Sequence, residues 1–524
     1  MQEAAGTAVQ RRRSRLPDRL RTVRLAPWVV SVVLAVAALV AGGAWAVASP
    51  VGSSPDDDYH QSSIWCPPPL ASSGCRLVID ASGAVKGAYV PQSVARSVCY
   101  AMRNEESASC LRGISDEQLI PYEHIDQGAY PGGYYRFMHL FVTPDVTASI
   151  VTIRVVNVAL AVLLLSCGLW LLPRSSRQGQ AAATIGGLVP LGMFLIASVN
   201  PSSWAVTGIL ATWLAVHTLL QAEERWRMVA ASVLAVVAAV VAANARSDSG
   251  AYLVVVAGLA GLLHVRTLRT WWPRLAVLVI PALLGFWSFL GSSQTSAISS
   301  GWAGMEGRNP RVVLYKDVQE LPNLLMGVFG QVWGLGWLDT PLPAVVSSSA
   351  LFVACGLVMV GFAQMNVTKT LTAGLLLATI FAVALAGLLA SNYFVGEGIQ
   401  PRYLLPLIPV LIGIMLTGTT LSAPVALARP QLVVFALALT LANSVALFTN
   451  LRRYVTGLDV TSPFLNRSVE WWWSTGPAPS DAWLIGSLAF AVLTIAPWIL
   501  TVRPAAAEPA RPDATPPAEA QAAA

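Results

Sequence analysis

WVVSVVLAVAALVAGGAWAVA, residues 28–48, has no charged side chain and follows directly on RRRSRLPDRLRTVR at residues 11–24. A helix rises 1.5 Å per residue, so an apolar run of about 20 residues crosses a hydrocarbon core of ~30 Å. Arg11, Arg12, Arg13, Arg15, Arg19, Arg21 and Arg24 stand immediately before it, and such a basic cluster stays on the cytoplasmic side. A cleavable leader has the same order of parts, but its apolar region is about 7–15 residues long. The run at 28–48 therefore reads as an uncleaved first transmembrane helix.

Outward from this helix, apolar runs recur near 147–171, 183–199, 203–221, 228–244, 250–265, 274–291, 344–363, 370–390, 403–421, 430–448 and 482–501, which makes twelve. Several are shorter than about 20 residues, and a short run reads equally as re-entrant. Charge gives an independent check. With the N-terminus inside, the inside loops hold Arg174 and Arg177, Arg225 and Arg227, Arg266, Arg269 and Arg274, then Lys369, Arg429 and Arg503, in keeping with the Lys/Arg excess of cytoplasmic loops. The outside loops are then 49–146, the Asn200-Pro201-Ser202-Ser203 turn, 245–249, 292–343, 391–402 and 449–481.

Composition agrees. Of 524 residues, 55% are hydrophobic and 11% charged, with a mean hydropathy of +0.60, whereas a soluble domain is about 25% charged. A soluble enzyme is excluded. The net charge of +6 and pI near 9.1 come from residues spread over short loops, so they report topology and not a nucleic-acid partner. The expected fold is all-α: a polytopic transmembrane bundle of about 12 helices in the cytoplasmic (inner) membrane, with both termini cytoplasmic. It divides into a basic segment (1–27), the transmembrane domain (28–502) and a disordered Pro/Ala/Glu-rich tail (503–524). No soluble domain and no internal repeat is read. Loops 292–343 and 449–481 suit interfacial helices, and Trp471-Trp472-Trp473 suits a membrane-interface belt.

Cys66, Cys75, Cys99 and Cys110 fall in the first outside loop, while Cys167 and Cys355 fall in helices. Four cysteines in an exported loop imply two disulfides, with three pairings open. A zinc site is the rival, but no CxxC spacing supports it.

Three motifs concentrate polar chemistry at the outer ends of helices. In Pro55-Asp56-Asp57-Asp58-Tyr59-His60, three adjacent carboxylates repel one another, which raises the pKa of at least one or recruits a cation or basic partner. In Asn244-Ala245-Arg246-Ser247-Asp248-Ser249, Arg246 runs against the topological charge bias, and with Asp248 it can face a cavity and hold a phosphate. In Glu397-Gly398-Ile399-Gln400-Pro401-Arg402-Tyr403-Leu404-Leu405-Pro406, Arg402 and Tyr403 head a segment bent by proline. The competing readings are a solvated acidic turn with a capping Asp and arginines that snorkel to the interface. The turn Tyr130-Pro131-Gly132-Gly133-Tyr134-Tyr135-Arg136 suits either sugar stacking by Tyr134 and Tyr135 or an interfacial belt. His139, His217 and His264 stand alone, and His124 sits near Glu123 and Asp126. No Walker A, GxGxxG in strand-helix context, HExxH or GxSxG motif occurs.

At these motifs the chain resembles a family of predicted multi-pass membrane proteins common in actinobacteria. That family carries a Pro-Asp-Glu-x-x-His-like first outer loop, a Tyr-Pro-Pro-x-Tyr-Tyr-like segment and a Gln-Gly-Arg-Tyr-x-x-Pro-like late motif. The chain departs from it at Asp57 for Glu, Gly132 for Pro and Pro401 for Gly. The family is in turn similar to the GT-C glycosyltransferases, which use polyprenyl-phosphate-linked sugars and keep an acidic motif in the first extracytoplasmic loop. The resemblance implies that Asp56 or Asp57 takes the acceptor's proton and that the donor is a polyprenyl-phosphate sugar. The acceptor would be a cell-envelope glycan or lipid, with membrane lipids as the surroundings. Arg246 and Arg402 would hold the lipid phosphate, with Asp58, His60, Tyr134, Tyr135, Asp248, Glu397 and Tyr403 lining the substrate site. No cofactor is assigned, and the acidic triplet leaves room for a divalent cation. The alternative is a transporter or flippase of a lipid-linked saccharide, which would place ionisable residues near the bilayer midplane. A non-catalytic scaffold is the third reading.

Overall fold

The computed structural model describes residues 26–266, 273–291, 308–418 and 425–500. The arginines of 11–24, Arg269, residues 292–307 and the tail from Arg503 lie outside them. Among the described residues nine helices are long and apolar enough to cross a membrane. These are α1 (Pro27–Val47), α4 (Val146–Leu171), α7 (Ser202–Gln221), α8 (Arg225–Ala243), α10 (Pro273–Gly291), α12 (Ala344–Gly361), α13 (Val367–Ser391), α16 (Arg429–Val455) and α17 (Pro479–Leu500). The protein is a multi-pass membrane protein.

Three expected spans are shorter or broken, and proline accounts for two. The run at 183–199 divides into α5 (Arg174–Leu188) and α6 (Leu191–Ile196) at Val189-Pro190. The run at 403–421 divides into α14 (Pro401–Leu404), a 3-10 turn over Leu405–Leu407 and α15 (Ile408–Met415). Pro190, Pro406 and Pro409 each lack the N–H that would continue the ladder. The run at 250–265 forms α9 (Ser247–Leu263), 17 residues long. In loop 292–343, α11 (Pro310–Gly327) carries Arg311, Lys316, Asp317 and Glu320, the mixed character expected of an interfacial helix.

Helix α7 is the hub, with its whole apolar window buried. Gly208 lets α8 approach, because a Cβ there would meet Ala242 N at 2.6 Å and Ala238 O at 2.8 Å. Small residues drive such packing where water supplies no hydrophobic force between helices. Basic side chains cap helix ends at the face away from loop 49–146, where unpaired carbonyls collect partial negative charge. Arg177 bonds Leu172 O after α4, Arg274 bonds Leu220 O and Ala222 O after α7, and Lys369 bonds Gly361 O and Thr417 O after α12 and α15.

Loop 49–146 corrects the all-α expectation, because it carries strands as well as helices. It holds α2 (Asp57–Trp65), α3 (Gly133–His139) and an antiparallel sheet in the order β1 (Leu77–Ile79), β2 (Val85–Pro91), β3 (Leu119–Tyr122). Asp80 Oδ1 accepts from the N–H groups of Ser82 and Ala84 at 2.8 and 3.0 Å and shapes the β1–β2 turn. Ala88 and Val90 on β2 are buried and pair with Tyr122 and Ile120. Disulfides Cys66–Cys75 and Cys99–Cys110 select one of the three pairings. Trp471 packs with Tyr100, Ala108 and Tyr454, and Trp473 donates its indole N–H to Val47 O.

Candidate functional site

Residues 46–57 leave α1 with few partners of their own, and side chains from distant elements fix them. The Arg154 guanidinium, two turns into α4, bonds Ala46 O, Ser49 O, Pro50 O and Ser53 Oγ. Asn450 bonds Ala48 O, Tyr100 bonds Val51 O, Trp337 bonds Gly52 O and Tyr454 bonds Ser53 O. Asn200 Nδ2 bonds Pro55 O at 2.8 Å, which ties the acidic motif to the turn before α7. A site held this way loses little freedom on binding.

The three aspartates diverge. Asp56 adopts the left-handed region at φ 61°, tolerated by Asp better than by most residues. Its carboxylate, 42% exposed, bonds Arg402 Nη2 at 2.5 Å, and Arg402 Nη1 bonds Pro55 O at 3.1 Å. Burial works to raise the Asp56 pKa, but the charge of Arg402 outweighs it and holds it below its ordinary value. Asp57 turns inward, fully buried. Both its oxygens accept from Ser54, and burial pushes it up to about 6 against the pull of Arg154. Asp58 takes a third direction, accepting from Tyr122 OH at 2.6 Å and His124 Nδ1 at 3.0 Å. The triplet thus forms no joint cation cage, and the described residues contain no cluster of three His, Cys, Asp or Glu able to hold a metal.

The arginines meet over one ring. Arg246 Cζ lies 4.3 Å and Arg402 Cζ 5.2 Å from the Tyr403 ring centroid, and Arg246 also lies 5.8 Å from that of Tyr130. Arg246 Nε bonds Asp248 at 3.0 Å. Tyr130 is placed there by Gly133, whose missing Cβ would sit 2.0 Å from Asn244 Oδ1, so that Tyr134 N reaches Asn244 O. His60 is buried, pushed down to about 3 and therefore neutral, with Nδ1 on the Tyr135 hydroxyl at 2.9 Å. Arg246 Nη1, Arg402 Nε and His60 Nε2 are buried without a hydrogen-bond partner among the described residues. Buried donors of this kind are uncommon and costly unless something binds them. Beside Arg402 lies a small recess lined by Pro55, Leu191, Phe194, Leu195, Leu335 and Gln400.

Not every expected residue joins this cluster. Glu397 instead forms a two-point ion pair with Arg308 at 2.6 and 3.0 Å, tying the α13–α14 connection to the start of α11. Tyr134 is buried, its hydroxyl on Val199 O. The histidines expected to stand alone have partners: His139 bonds Ile64 O, and His217 meets His264 at 3.0 Å. His124 pairs with Asp58, while Asp126 accepts from Tyr59. Arg154 was missed although a lone Arg in a 26-residue apolar run is itself a signal of a buried role. Arg154 donates to three backbone carbonyls and the Ser53 hydroxyl, and Lys369 to three backbone carbonyls.

Residues 39–411 match the family described as "Predicted membrane protein (DUF2142)". The chain belongs to this family. The DUF2142 match begins within α1 and ends within α15, so it spans Asp56, Tyr130, Arg246 and Arg402, while α16 and α17 lie beyond it. No curated protein matches the chain.

Proposed function

We propose that the protein is a membrane glycosyltransferase of GT-C type. It would move a sugar from a polyprenyl-phosphate donor to a cell-envelope acceptor at the face carrying loop 49–146, outside the cytoplasmic membrane. The observation that carries this reading is the pair of buried guanidinium groups over Tyr403, with unpartnered donors on both. An anion of the size of a phosphodiester satisfies them. Asp56 is the resting counter-ion of Arg402. The donor phosphate binds the unpartnered Arg246 Nη1 and Arg402 Nε, while Asp56 stays on Arg402 Nη2. As the sugar–phosphate bond breaks, negative charge grows on the leaving phosphate, where two fixed cations in a dry setting stabilise it. Asp57, sealed against Ser54 and Arg154, supports the loop and does not meet substrate.

The test is transfer of radiolabelled sugar from polyprenyl-phosphate donors to envelope glycan fragments by the full-length protein in proteoliposomes. Arg246→Gln and Arg402→Gln should each lower kcat/KM by about 10²-fold, the scale of losing one charged donor to a developing anion. Movement of the lipid-linked sugar across the bilayer without transfer would support the transporter reading instead.

A further inference from the structure

Transfer to a hydroxyl releases a proton, and the group that takes it must lie beyond the hydroxyl, on the side opposite the leaving phosphate. Asp56 is bonded to the phosphate-binding Arg402, and Asp57 is sealed from solvent. Asp58 and His124 satisfy the requirement. The Asp58 side chain is 10% exposed and the His124 ring 60% exposed, at 3.0 Å between Oδ2 and Nδ1. With Nδ1 donating to the carboxylate, Nε2 is the nitrogen left to accept a proton. The His124 ring lies 5.1 Å from that of Tyr59, which lies 5.8 Å from that of Tyr130, which in turn lies against Arg246. The dyad and the arginines therefore flank one aromatic layer, an arrangement that suits a sugar held between phosphate and acceptor.

We propose that His124, oriented by Asp58, is the catalytic base that takes the acceptor's proton. This rests on the transferase reading and deepens it. The acceptor oxygen forms a bond to the anomeric carbon, the bond from that carbon to the phosphate oxygen breaks, and its electron pair leaves with polyprenyl phosphate. The hydroxyl proton passes to His124 Nε2, and Asp58 stabilises the imidazolium, as a carboxylate does for a histidine base. The groups facing His124 are Asp58, Asp56 and the phenols of Tyr122 and Tyr59. The Asp58 hydrogen bond raises its pKa above the ordinary 6.5, burial opposes this, and the charges of Asp58 and Asp56 add to the rise. A base is most effective with a pKa near the working pH, which favours His124 over Asp56, held below 3.8.

The experiment measures kcat against pH in proteoliposomes with a polyprenyl-phosphate sugar and a hydroxyl acceptor, and donor affinity by tryptophan fluorescence. The wild type should lose activity on acidification with an apparent pKa above 6.5, because protonated His124 accepts nothing. Asp58→Asn, which leaves His124 in place, should move that limb to lower pH. His124→Gln should lower kcat about 10²-fold or more with unchanged donor affinity. A wild-type rate that is flat down to pH 5, or His124→Gln with wild-type kcat and the same limb, overturns this assignment and leaves the transferase standing. Donor binding without any transfer by the wild type overturns both.

Discussion

A buried carboxyl without a full counter-charge holds its proton, and Asp57 is the residue where that shows. Its pKa of about 6 exceeds the ordinary 3.8, so between pH 4 and pH 6 the folded protein binds more protons than the unfolded chain. Stability then falls as pH rises through that window, by roughly 3 kcal/mol for a shift of this size. Asp57→Asn keeps an acceptor for Ser54 and cannot ionise. Thermal unfolding in detergent at pH 4 and pH 7 should show the wild type losing stability relative to this variant as pH rises. Equal pH dependence in the two proteins would show that Asp57 is ionised throughout. Repulsion within the triplet pointed to a raised pKa or a basic partner; burial, more than repulsion, pushes Asp57 up, and Asp56 pairs with Arg402. Which residue did which was not legible, because it depends on the left-handed turn at Asp56, which sends three neighbours in three directions.

At the scale of elements, the β2–β3 pair positions the residues the dyad needs. Gly87 lies against β3 so closely that a Cβ would meet Tyr122 O at 2.0 Å and Glu123 Cα at 2.8 Å. Both are backbone atoms, so Gly87→Ala must push β3 away and carry Tyr122 and His124 with it. The variant should keep donor affinity, since Arg246 and Arg402 stand on other elements, while its acid limb shifts towards lower pH as the bond to Asp58 lengthens. An unshifted limb would show that β3 adjusts without moving His124. The sheet itself was not legible: β1 has three residues and β3 four, too few for an alternating pattern. The long spans were legible because lipid demands uncharged length. The bend near Pro406 was read from its proline, whereas the break at Pro190 was not, since it sits in an uncharged run. The convergence of the Arg246 and Arg402 motifs on Asp56 followed from placing all three at one set of helix ends.

For the whole molecule, the two faces differ in kind, and the difference predicts an orientation that can be measured. One face carries loop 49–146 with two disulfides, and disulfides persist in oxidising compartments. The other carries Arg177, Arg274 and Lys369 on helix C-terminal carbonyls, and a Lys/Arg excess is expected on the cytoplasmic side. Ser82, exposed in the β1–β2 turn, and Glu223, exposed between α7 and α8, report the two sides. In a background with Cys167 and Cys355 replaced by Ser, Ser82→Cys should react with an impermeant maleimide on intact cells. Glu223→Cys should react only after permeabilisation. The disulfide cysteines stay silent in both, so mass spectrometry of unreduced peptides should also recover Cys66 linked to Cys75 and Cys99 linked to Cys110. Labelling of Glu223→Cys in sealed cells, with Ser82→Cys protected, would invert the protein in the membrane. The cluster of Asp56, Arg246 and Arg402 would then face the cytoplasm, where nucleotide-activated donors abound, and the case for a lipid-phosphate donor would lose its main premise.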